Sequence, residues 1–141
     1  MLQFKKYINK NKKSSGYNKV YARAVINETF DLDQLAKHMA NHNTPFCKGA
    51  IKGVLTDMVA CIRELTLSGV AVKIPDLAIF SLGIGCTPAD KVEDFTANGN
   101  IKRFKLRARA TGDFSKKELD TVAHATEMTK YGTVETTSAE A

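Results

Sequence analysis

Apolar and polar residues alternate strictly from Ile101 to Arg109, placing Phe104, Leu106 and Ala108 on one face of an extended chain and Arg103, Lys105, Arg107 and Arg109 on the other. Successive strand side chains point to opposite faces, so this spacing predicts a strand that is apolar beneath and cationic above, with one charge every ~7 Å. The segment from Gln3 to Ile26 is also strand-like: Phe4, Tyr7, Tyr17, Val20, Tyr21 and Val25 are set among lysines. The turn chemistry between Asn11 and Gly16 makes it a β-hairpin. Val70 to Ile74 and Leu77 to Ile84 form two further strands around a Pro75-Asp76 turn.

Between the hairpin and these strands the period changes to that of a helix. Asp31 with Gln34 is a capping-box pattern, and Leu32, Leu35, Ala36 and Met39 form an apolar stripe that runs toward Asn43. Thr44 followed by Pro45 predicts the start of a longer helix. Its apolar positions are Ile51, Val54, Leu55, Met58, Val59, Ile62 and Leu65, and Gly69 is its stop. This face, with Ala60 and Cys61, is wider than the short first helix covers, so a second copy of the chain is the expected partner. Residues 85–100 read as a polar arm with Pro88 and an Asn98-Gly99 turn. Ser115-x-x-Glu118 predicts a last helix with Leu119, Val122, Ala123 and Thr126 on one face. The chain is thus α+β: residues 1–27 a basic hairpin, 28–131 a helical and sheet domain, and 132–141 a tail too polar to pack.

Charge sharpens this picture. Residues 1–27 carry Lys5, Lys6, Lys10, Lys12, Lys13, Lys19 and Arg23 with no acid, and residues 101–117 carry seven cations against Asp113 alone. Basicity concentrated in two strand-like blocks is the electrostatic footprint of a nucleic-acid partner, whereas an even spread at the sequence pI of about 9.3 would speak only to solubility. Beside this stands the ordinary use of a charge run as a solvated face. At 141 residues the chain has the length of one domain. It lacks the apolar run of a signal peptide and any stretch of about 18 apolar residues, which predicts a cytoplasmic protein. Cys47, Cys61 and Cys86, odd in number and far apart, are expected to be reduced and buried or half-buried.

The order of helix, longer helix, glycine, two strands, arm, basic strand and helix over residues 28–128 resembles the histone-like HU and integration host factor family of bacterial DNA-binding proteins. Val72-Lys73-Ile74-Pro75-Asp76-Leu77-Ala78-Ile79-Phe80 is similar to the family segment Val-x-Leu-x-Gly-Phe-Gly-x-Phe, with Asp76 and Ala78 in place of its glycines and Leu77 in place of its aromatic. The added hairpin, the Phe95–Ile101 arm segment and Gly112-Asp113-Phe114 resemble a longer HU-like subgroup. The resemblance implies a helical hairpin packed on a three-stranded antiparallel sheet, an intertwined homodimer, and a non-enzymatic architectural protein of the nucleoid. Its expected partner is double-stranded DNA, with no cofactor, membrane or small-molecule substrate; RNA binding or protein interaction on the same scaffold is the alternative. The implied contacts are Lys102, Arg103, Lys105, Arg107, Arg109, Lys73, Lys91, Lys116 and Lys117.

The arm tip departs from the family. It carries no Arg-Asn-Pro, whose proline wedges between base steps, and Asp90, Glu93 and Asp94 surround Lys91. Phosphate would repel such a tip, so surface binding through the basic strand is expected instead.

Other chemistry finds little support. His38 and His42 stand four apart with Cys47 nearby, but a metal site needs a third and fourth ligand that the sequence does not supply. Gly83-Ile84-Gly85 lacks the remainder of a dinucleotide fingerprint and reads as a turn. No Ser, Cys or His, His124 included, sits in a nucleophile motif. The aromatics among the N-terminal lysines either pack against the sheet or stack bases.

Overall fold

The computed structural model describes residues 1–128, which fall into two compact units. One is Phe30–Leu119; the other joins Met1–Thr29 to the residues from Asp120 onward. The tail expected from residue 132 lies outside the described residues.

In the larger unit, helix α1 (Leu32–Ala40) begins where the capping box predicts. The Asp31 carboxylate accepts from the Gln34 amide at 2.8 Å, and the Gln34 side chain accepts from the Asp31 amide at 2.9 Å. The helix stops at Ala40, short of the expected Asn43. Asn41 caps it, and the following His-Asn pair has poor helix propensity. Helix α2 (Lys48–Leu67) begins three residues after Pro45, with extended Cys47 as its N-cap. Thr44 Oγ1 instead accepts from the Phe46 amide at 3.4 Å, so the hydroxyl expected to cap the helix is spent on a local turn. Gly69, at φ +82°, ends α2 as predicted. The Val70 amide donates to Leu65 O and the Gly69 amide to Thr66 O, which is the paired closure of a Schellman cap. Asp33 joins the two helices, binding Lys48 Nζ at 2.6 Å and Lys52 Nζ at 3.1 Å. These ammonium donors, Lys48 first, hold its carboxyl below the usual carboxylate value.

Strands β3 (Val72–Ile74), β4 (Ala78–Cys86) and β5 (Ile101–Ala110) form an antiparallel sheet in that order. Asp76 takes the left-handed conformation, φ +59°, that favours glycine, and the Leu77 amide closes the turn onto Ile74 O. Gly112, itself at φ +54°, makes room for it: a Cβ there would overlap the Asp76 carboxylate. The Gly83-Ile84-Gly85 segment expected as a turn lies inside β4, because a strand tolerates glycines where a neighbouring side chain needs the space. Asn98-Gly99 does not form a hairpin turn either. Thr96 Oγ1 accepts from the Gly99 amide and caps a single helical turn, α3 (Ala97–Asn100). Asn100 then ties the base of the arm to Thr87, through the Thr87 amide at 2.8 Å and its own side chain at 3.0 Å.

Helix α4 (Lys116–Val122) carries the chain to the smaller unit. The last helix was expected to reach Thr126, but it ends at Val122 and the chain turns into strand β6 (Ala125–Glu127). Thr126 is β-branched, and an unfilled sheet edge satisfies its backbone at once. That edge belongs to β1 (Leu2–Ile8), which pairs antiparallel with β2 (Val20–Val25) and parallel with β6. The predicted hairpin is therefore two strands of a three-stranded sheet.

Packing within the larger unit is thin. Of its described apolar residues only Ala36, Ile51 and Ala78 are buried, and buried Thr66 satisfies its hydroxyl on Ile62 O at 2.8 Å. A groove of about 440 Å³ opens between α2 and the sheet, lined by Met58, Val59, Ile62, Phe80, Leu82 and Leu106 among others. The three cysteines are exposed, contrary to expectation, since the elements that carry them lack a covering layer in the single chain. No described helix is long and apolar enough to cross a membrane.

Candidate nucleic-acid interface

The β4/β5 register decides which groups share a face with the cations. Arg103, Lys105, Arg107 and Arg109 stand opposite Gly85, Gly83, Ser81 and Ile79, while Phe104, Leu106 and Ala108 stand opposite Ile84, Leu82 and Phe80. Cross-strand partners point the same way. The cationic face therefore continues onto a strip of β4 that is nearly bare at Ser81, Gly83 and Gly85 and carries Ile79 at its end. A Cβ on Gly83 would come within 2.5 Å of Arg107 Nε, and one on Gly85 within 2.7 Å of Arg103 Cγ. Both arginines lie down across the neighbouring strand on the space the glycines leave. The result is a flat cationic shelf two strands wide, in which the guanidinium groups are spread sideways.

Over the seven residues Arg103–Arg109 the charges run for about 20 Å at ~3.3 Å per residue. Each side chain is exposed, and no acid among the described residues forms an ion pair with any of them. The opposite face leads to the apolar groove, where Leu106 lines the wall. One strand thus presents charge outward and leaves apolar surface for cover from behind.

The remaining predicted contacts divide. Lys73 pairs with Ile79, which also pairs with Arg109, so Lys73 extends the cationic row onto β3. Lys102 is the extra residue of a β-bulge: Cys86 pairs with Ile101 and Gly85 with Arg103, and Lys102 has no place in the ladder. Lys91 lies in the arm, immediately before a short turn of 3₁₀ helix at Val92–Asp94 that holds Glu93 and Asp94. Lys116 and Lys117 belong to the first turn of α4 and engage other groups. The fold brings together five of the nine: Arg103, Lys105, Arg107, Arg109 and Lys73.

Gly83 and Gly85 shape this surface from within β4, in place of the expected turn. Their signal was present in the period: Ser81, Gly83 and Gly85 are small residues two apart, the strand repeat, not the contiguous cluster of a loop. The paired imidazoles His38 and His42 approach to 3.0 Å between Nε2 atoms, but among the described residues no group of three or more potential metal ligands assembles.

A family model described as HU-HIG, "HU domain fused to wHTH, Ig, or Glycine-rich motif", matches residues 1–128. No curated protein and no solved structure matches the chain.

Proposed function

The chain belongs to the HU-HIG family of HU domains, and we propose that it is a non-enzymatic architectural protein of the cytoplasmic nucleoid that binds duplex DNA as a homodimer. The observation that carries this function is the shelf of Arg103, Lys105, Arg107 and Arg109 over Gly83 and Gly85, exposed and without acidic partners among the described residues. A polyanion is the partner such a surface fits. Side chains that contact phosphates carry no base information, so binding through the shelf is largely indifferent to sequence. The acidic arm lacks a wedge residue of the family kind, so the shelf grips the duplex without deep insertion into the minor groove.

Dimerisation is supported by the uncovered groove on the reverse side, where Val59, Leu67 and Leu106 are 55%, 65% and 61% exposed. A side chain a little over half in water forgoes roughly half of the ~1.5–3 kcal/mol of full burial, which a second copy would recover.

The test is fluorescence anisotropy on two unrelated duplexes of equal length and base composition. The parent chain binds both alike, and converting all four shelf cations to Gln weakens binding to both by the same large factor. Undiminished binding by that variant would make the shelf a solvated face and leave the duplex to other cations of the chain.

A further inference from the structure

The smaller unit carries a second cationic surface of different composition. In the β1/β2 register Lys5 faces Arg23 and Tyr7 faces Tyr21, so these four side chains share one face of the sheet. Phe4, Lys6, Ile8, Val20, Ala22 and Ala24 occupy the other, where Lys6 binds Glu127 at 2.8 Å. Of the apolar strand residues Val25, opposite Gln3, shares the tyrosine face, and the ion pair lies on the other. Tyr7 and Tyr21 are 41% and 42% exposed, beside Lys5 and Arg23.

Their rings are held in place. The centroids stand 6.0 Å apart with 29° between the planes, and the Arg23 guanidinium lies 4.8 Å from the centre of the Tyr7 ring. The hydroxyl end of Tyr21 rests on buried Gly16, where a Cβ would overlap it. The loop that carries Gly16 is itself ordered: Ser14 Oγ accepts from the Gly16 amide at 3.2 Å, and Asn18 donates to Asn9 O at 2.8 Å. That loop also bears Lys10, Lys12, Lys13 and Lys19, and residues 1–27 contain no acid.

We propose that the Tyr7, Tyr21, Arg23 and Lys5 face is a second nucleic-acid site, which takes the unpaired bases of single-stranded DNA. Aromatic rings and a guanidinium plane offer stacking surface that every base can use, and the surrounding lysines follow the phosphates. A duplex buries its base faces in its own stack, so it draws only the charge of this site. The choice of DNA over RNA rests on the duplex-DNA function proposed for the β5 shelf; the stacking site itself does not.

The experiment uses the full chain and labelled oligomers of equal length: oligo(dT), an abasic deoxyribose-phosphate strand, and oligo(rU). With no tryptophan present, quenching of the emission of the chain's four tyrosines reports stacking directly. Oligo(dT) should quench this emission and bind roughly 5- to 150-fold more tightly than the abasic strand, the range expected for one stacked base. Tyr7→Ala should lose the same factor and Tyr7→Phe should keep it. Arg107→Gln with Arg109→Gln, which weakens duplex binding if the shelf function holds, should leave oligo(dT) quenching intact. Equal affinity for oligo(dT) and the abasic strand overturns the site. Because that comparison uses the unaltered chain, it decides the matter even if Tyr7→Ala unfolds the sheet. Tighter binding of oligo(rU) than of oligo(dT) overturns the assignment to DNA.

Discussion

Converting Arg107 and Arg109 to Gln removes half of the charge from the β5 shelf without touching its apolar side. Each of these side chains is exposed and has no ion pair among the described residues, so the substitution strands no buried partner, and the monomer fold should be unaffected. Each phosphate contact adds about 0.9 to the fall of log affinity with log salt on duplex DNA. Four contacts per strand in each of two subunits give a slope near −7, and losing four of those eight lowers its magnitude by about 3.6. Between 50 and 200 mM salt the parent should then weaken by about 10⁴-fold and the variant by about 10²-fold. A single copy binding alone would lose only about 1.8 in slope, so one titration also reports how many shelves engage the duplex. Anisotropy over that salt range, on two unrelated sequences, supplies the measurement. The reasoning is falsified if the variant keeps the parental slope.

Three further outcomes follow from the packing. Ile62→Asp places a charge in the groove that a second copy would cover; it should cost several kcal/mol of dimer stability and be visible in sedimentation at micromolar concentration, and an unchanged mass with unchanged melting would exclude this groove as the interface. Asp33, whose folded-state value is depressed by Lys48 and Lys52, contributes stability that is present above its unfolded value of ~3.9 and is lost as pH falls through its lower folded value. The melting difference between the parent and Asp33→Asn should therefore be flat near neutral pH and vanish in acid, whereas a difference that persists below pH ~2 would remove the ion pairs as its cause. Gly112→Ala meets both a positive φ and the Asp76 carboxylate, and should cost about 1–3 kcal/mol in chemical denaturation. Pairing it with Asp76→Gly should recover part of that loss, and strict additivity would show that the two positions do not press on each other.

The sequence by itself determined what depends on period and on neighbours a few residues away. The capping box at Asp31, the stop at Gly69 and the alternation of β5 are local devices, in which each residue satisfies a group within about one turn or one pleat. The cationic face of β5 was legible for the same reason. What a segment pairs with is a different matter, because a backbone amide accepts any partner that arrives. Thr126 has helix-compatible spacing, yet it lies in a strand because β1 offers an open edge more than a hundred residues earlier. Gly83 and Gly85 look like a turn until β5 is laid beside them, when their missing side chains become the space that Arg103 and Arg107 occupy. Asp76 keeps a glycine conformation because Gly112, distant in sequence, yields room for it. Which residue faces Tyr7 across the hairpin was likewise decided by register: a shift of one residue would have set Tyr7 opposite Ala22 or Val20 and parted it from Tyr21.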